Sequence, residues 1–220
     1  MDESARVETR FDELRRRGGN VLLLDGGAGD RACRRLAGED RRRVQVATGG
    51  RSWRGPIPAE RDPDRLGVVE HVESLTRSAA ADSTAAATPD DAAEWYTRVV
   101  DDGGLSRLAH AVHDHLARLS DITEESGELR LCVDGLGPLF EEYGAEDAAR
   151  FCSVVAGRVH VERAIGHYHL PAGAADSVAE WAPFVFDATV ETRVRDGVPQ
   201  QRWRFFRPEQ RTEWFRLERH

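Results

Sequence analysis

Apolar and polar residues follow two different periods along this chain, and the switches between them predict its elements. Phe11 and Leu14, followed by Arg15-Arg16-Arg17, suggest a short amphipathic helix that Gly18-Gly19 brings to a stop. Asn20 to Asp25, NVLLLD, is a continuous apolar run of the kind expected for a strand buried on both faces of a parallel sheet. Gly26-Gly27-Ala28-Gly29 reads as a flexible turn, with Asp30 capping a helix from Arg31 to Ala37. Further strands are predicted at Val44–Thr48 and Leu66–Val72. The connection from Trp53 to Asp64 carries three prolines and reads as irregular, and residues 78–91, SAAADSTAAATPDD, read as an exposed loop.

In the second half, Leu105, Leu108, Ala109, Val112, Leu116 and Leu119 recur near a 3.6 period and predict a helix from about Leu105 to Leu119. A strand at Leu129–Val133 ends in Asp134-Gly135, and a helix follows at Ala145–Val155. Strands at Ala164–Leu170 and Val185–Val190 flank a helix at Ala174–Trp181. Thr189–Arg195 and Gln201–Phe206 then bracket Asp196-Gly197-Val198-Pro199-Gln200 as an antiparallel hairpin, with an edge strand at Thr212–Leu217. This alternation implies a mainly parallel sheet with helices on both faces, with Val21–Leu24, Leu131–Val133 and Ile165–His169 among its central strands. The expected organisation is an N-terminal helical segment, residues 1–19, and one α/β domain, residues 20–220.

Composition narrows the function classes. Of 220 residues, 40% are hydrophobic and 32% charged, as in a soluble globular protein, and the formal net charge is -8. Every basic residue is Arg. The acidic excess argues against a nucleic-acid-binding surface, and Arg15-Arg16-Arg17 and Arg41-Arg42-Arg43 are local basic runs read as solvated charges. A lysine-free, acidic chain suits GC-rich codons or concentrated salt. No run reaches the ~18 apolar residues of a membrane span, and the polar N-terminus does not resemble a signal peptide, so a cytoplasmic location is expected.

In an open parallel sheet the first strand-to-helix loop is the usual phosphate cradle. Here it comprises Asp25, Gly26, Gly27, Ala28, Gly29, Asp30, Arg31 and Ala32. A working P-loop, GxxxxGK[ST], needs a Lys for the β and γ phosphates and a hydroxyl for magnesium. Aligned without a gap, Asp30 stands at the second glycine, Arg31 at the lysine and Ala32 at the hydroxyl, while Asp25 and Asp30 would repel a triphosphate. Asp134, at the end of an apolar strand, occupies the place of a magnesium-orienting carboxylate.

Other constellations are weaker. Cys33, Cys132 and Cys152 show no CxxC spacing and read as buried thiols. His110 and His113 share a helical face without His115, and His167 and His169 share a strand face. Nothing in the spacing brings three or four ligands together, and no metal site is expected. The aromatic group Trp203, Phe205, Phe206, Trp214 and Phe215 is read as hairpin core rather than a base-stacking surface.

Four segments carry a resemblance that spans most of the chain: NVLLLDGGAGDRACRRL, DDGGLSRLAHAVHDHL, LRLCVDGLGPLFEEYGAEDAARFCSVVAGRVH and AIGHYHLPAGAADSVAEWAPFVFDATVE. In order and spacing they resemble the RecA-like ATPases of the KaiC group, and specifically a degenerate haloarchaeal branch. The resemblance implies a three-layer RecA-like P-loop fold, α/β, with a mostly parallel central sheet and an antiparallel C-terminal hairpin. It implies that Leu129–Leu139 carries the second nucleotide motif, and that the paired glutamates which activate water in active relatives are replaced by Ala47-Thr48-Gly49-Gly50. The expected function is therefore a non-catalytic interaction or regulatory module in signal transduction, without a cofactor, acting with a protein partner or as a homo-oligomer. The alternative is a divergent ATPase or ATP-binding protein in which Arg31 grips phosphate and Asp134 recruits magnesium.

Overall fold

The computed structural model describes residues 3–49, 62–72, 93–100 and 104–218. The predicted connection from Trp53 and the loop at 78–91 fall almost wholly outside the described residues. The chain opens with α1 (Glu3–Arg17), β1 (Gly19–Asp25), α2 (Gly29–Ala37) and β2 (Arg42–Ala47). It continues through β3 (Leu66–Val72), β4 (Tyr96–Val100), α3 (Ser106–Ser120), β5 (Leu129–Asp134) and α4 (Leu136–Val161). Then come β6 (Ile165–Pro171), a 3₁₀ segment Ala172–Val178, α5 (Ala182–Val185) and the C-terminal strands β7 (Ala188–Arg195), β8 (Val198–Phe206), β9 (Glu209–Arg211) and β10 (Phe215–Arg216).

All strands join one sheet in the order β10-β8-β7-β1-β6-β5-β2-β3-β4, with β9 also on β8. From β7 to β4 every pairing is parallel, and β8 turns the sheet antiparallel. The three segments read as central, in β1, β5 and β6, are central as expected, because a continuous or near-continuous apolar run stays out of water only in a strand covered on both faces. Leu22, Leu24, Leu131, Val133, Tyr168 and Leu170 point to one face, where α3 and α4 close a large apolar core. Val21, Leu23 and Ile165 point to the other, which α1 and α2 cover with Val7, Phe11, Leu14, Ala32, Cys33 and Leu36. Of the five aromatic residues read as hairpin core, Trp203 and Phe205 are buried in the cluster that holds Phe11, whereas Phe206, Trp214 and Phe215 are half-buried and Arg193 and Arg202 stack over Trp214 at 4.0 and 4.7 Å.

Several boundaries differ from the sequence reading. α2 starts at Gly29, so Asp30 lies in its first turn and not at its cap, which is Ala28 without a side-chain bond. α4 begins at Leu136, well before Ala145, and breaks at Gly144 (φ 80°, ψ 170°). Pro138 is accommodated in its first turn, where the lost N–H has no helical acceptor. The helix expected at Ala174–Trp181 is mostly 3₁₀, and the strand expected at Val185–Val190 starts at Ala188 and runs unbroken into the hairpin. That hairpin closes in two residues, Asp196 and Gly197, both at positive φ (52° and 73°), as the twist of adjoining strands favours. β4 was not foreseen.

Candidate functional site

The loop between β1 and α2 opens at the carboxyl end of the sheet, where phosphate is bound in folds of this kind. Here the cradle is occupied by the chain's own carboxylate. Asp25, the last residue of β1, turns back so that its Oδ1 accepts the backbone N–H groups of Gly27 and Gly29, both at 2.8 Å. Gly26 N–H donates to Thr192 Oγ1 at 3.2 Å, which fastens the loop to β7. The glycines have a steric reason to be there. A Cβ on Gly29 would sit 2.3 Å from the Asp25 carboxyl carbon, and one on Gly26 would sit 2.3 Å from the Thr192 carbonyl oxygen. Glycines that elsewhere let a phosphate approach the backbone here admit an aspartate.

The remaining expected site residues are distributed unevenly. Arg31 and Arg34 line one wall of an open hollow of about 450 Å³ above the loop, facing Val194, Gly197 and Pro199 of the hairpin. Ala32 is buried in the core beneath α2, so the position of the absent hydroxyl is an apolar contact. Asp134 is buried at the end of β5, two strands from β1 with β6 between them. Beside it the end of β2 is sealed. Thr48, fully buried, donates through Oγ1 to the carbonyl oxygens of Asp134 (3.2 Å) and Gly135, and Pro138 sits so close to Gly49 that a Cβ there would approach it to 2.5 Å. The end of β2 is thus filled by a strand-tying threonine and a proline. Gly50 lies outside the described residues.

Two groupings escape a linear reading. Arg15, Arg41 and Arg43, read as solvated charges, join Arg31, Arg34, Arg35 and Arg130 around a hollow of about 920 Å³ beside α2, with Glu39, Asp40 and Glu218 at its margin. Arg130 is only 2% exposed, and burial, with Arg15 and Arg41 nearby, lowers its pKa to about 9. Beneath α2, Cys33, Cys132, His167 and His169 converge on one point. Cys152 stays apart on the opposite face, where burial pushes its thiol well above the usual range. His110 is exposed on α3 beside Asp114 at 3.6 Å, and His115 is buried against Gly67. No described helix is long and apolar enough to cross a membrane.

Strand order, layers and the loop after β1 define a RecA-like α/β fold of the KaiC-like type. The KaiC-like protein PH0186 from Pyrococcus horikoshii superposes with a TM-score of 0.53 at 11% identity, over 91% of this chain and 85% of that one. The uncharacterized protein PH0321 from the same organism, solved in complex with an unknown peptide, gives 0.52 at 12% identity over 88% of each chain. A comparison with curated proteins finds no match. Residues 18–192 match the family described as "Family of unknown function (DUF7504)", and the chain belongs to that family.

Proposed function

We propose that this protein is a non-catalytic RecA-like module, cytoplasmic and regulatory, which uses the fold to present surfaces to a protein partner or a second copy. The observation that carries this reading is the Asp25 carboxylate bonded to the Gly27 and Gly29 N–H groups. An anion fixed in the cradle removes donors a nucleotide phosphate would use and adds a charge that repels it. The sealed end of β2 and the apolar setting of Ala32 act on other parts of the reaction, so their effects compound with the first. PH0321 was solved with a peptide bound, and a peptide is the kind of ligand such a module can take without a working phosphate loop.

In this reading the acidic, lysine-free composition reflects a haloarchaeal, high-salt setting, and residues 20–220 act as one α/β domain behind the helical segment 1–19. The test is magnesium-ATP titration by calorimetry, with phosphate release measured in molar potassium chloride. Neither binding nor turnover is expected from the native protein, nor turnover from the Arg31→Lys, Ala32→Thr double variant. Asp25→Gly, which vacates the cradle, is expected to gain weak triphosphate binding without turnover. Native turnover abolished by Asp134→Ala would replace this reading with the divergent ATPase.

A further inference from the structure

Cys33 on α2, Cys132 on β5, and His167 and His169 on β6 stand far apart in sequence, yet the fold brings one donor atom from each within 4.8 Å of all the others. The arrangement follows from the strand period. His167 and His169, two residues apart, point to the same face of β6, and Cys132 lies directly opposite His167 on the neighbouring strand. Cys33, one helical turn after Gly29, descends from α2 onto the three of them. We propose that these four side chains bind a single zinc ion that fastens α2 to the centre of the sheet.

Three of the six donor separations are close to the edges of a tetrahedron around zinc. Sγ of Cys33 and Sγ of Cys132 are 3.9 Å apart. Cys33 Sγ lies 3.3 Å from His167 Nε2, and Cys132 Sγ lies 3.6 Å from His169 Nε2. Tetrahedral zinc, with bonds of about 2.3 Å to sulfur and about 2.05 Å to nitrogen, sets these edges at about 3.8 Å for S–S and about 3.5 Å for S–N. A disulfide would require the sulfurs to close to about 2.05 Å, and it would leave both imidazoles unused. Two thiolates and two imidazoles select zinc over the hard cations magnesium and calcium.

The surroundings fit a closed structural site. His167 and His169 are 0% and 3% exposed, and Cys33 is 8% exposed, so water has no ready access to a fifth position. The Nε2 atoms of both imidazoles are the ones directed at the sulfurs.

The experiment uses the full chain purified under reducing conditions. Metal analysis is expected to give one zinc per chain that survives dialysis. Unfolding in chelator and refolding with Co²⁺ is expected to give the visible ligand-field bands of a tetrahedral site and a sulfur-to-cobalt charge-transfer band. That band falls by about half in Cys132→Ser and vanishes when Cys33 is also changed to Ser. Cys152→Ala keeps both the metal and the spectrum. Native protein without stoichiometric metal, together with reduced apoprotein that gives no charge-transfer band with Co²⁺, would overturn the proposal, as would a Cys33–Cys132 disulfide in the native chain. If the serine variants do not fold, the wild-type zinc content and cobalt spectrum decide alone.

Discussion

The two faces of the sheet are built by different means. Among the described residues, the face under α3 and α4 gathers twenty-nine buried apolar residues into one cluster, against fifteen under α1 and α2. The larger face holds itself together by area, its few polar groups satisfied locally: Tyr168 donates to Asn20 Oδ1 at 3.0 Å, and Asn20 donates onward to the Ala156 carbonyl at 3.2 Å. The smaller face carries the arginine-lined hollow, a buried arginine and the Cys/His cluster. A helix with little apolar cover needs another attachment, and the polar groups under α2 are in the position to supply one.

The sharpest way to break this contrast is a matched pair of truncations. Leu116→Ala, in the fully buried row of α3, is expected to cost about 4 kcal/mol, since the surrounding core relaxes only partly into the vacancy. Leu36→Ala on α2 is expected to cost about 2 kcal/mol, because that site already borders a small cavity. Urea unfolding of both variants measures the difference, and equal losses would mean that the faces contribute alike.

Acid titration probes a histidine buried on the larger face. His115 accepts from Arg118 Nη2 through Nδ1 and donates from Nε2 to Thr97 Oγ1, so it is neutral, and burial followed by the charge of Arg118 lowers its pKa to about 4. Its unfolded value is about 6.5, so between those values the unfolded chain holds the extra proton. Stability from this group is therefore complete above pH ~6.5 and is lost as pH falls through about 4, by ~3 kcal/mol in all. Unfolding free energies measured from pH 7 down to pH 4 should fall more steeply for wild type than for His115→Gln. Parallel curves would place the acid sensitivity elsewhere.

The smallest effect belongs to the other face and has the opposite sign. Arg130 has two guanidinium nitrogens buried without a hydrogen-bond partner among the described residues. Arg130→Met, which keeps the volume and removes the charge, is expected to stabilise by about 1 kcal/mol, read as a rise in Tm. A marked loss would mean that the charge is held by something bound in the hollow.

The contrast also explains what could be read from the chain. The large face was legible because its strands are continuous apolar runs and α3 repeats near 3.6, signals that belong to single segments. Tyr96–Val100 was not, being five residues with two exposed side chains, and Leu136–Tyr143 was not, because Gly137 and Pro138 are poor helix formers although Pro138 sits where a helix tolerates it. The loop after β1 was legible as a glycine-rich turn without a lysine, but its filling by Asp25 was not, since a carboxylate bonded to N–H groups two and four residues on leaves no periodic trace. The Cys/His cluster was the least legible: its sulfurs are 99 residues apart, and only the alternation of His167 and His169 hinted that one strand face carried two donors.

The Asp25 carboxylate also sets what the loop can sense. A phosphate from solvent comes and goes with its concentration, so an ordinary nucleotide loop reports the ratio of ATP to ADP through how often it is occupied. An anion joined to the loop by its own backbone is present at an effective concentration that no dilution lowers. On the reading proposed above, the loop keeps its filled shape in a starved cell and a fed one, and a partner docking on the shoulder formed by Gly26 and Thr192 would meet the same surface in both.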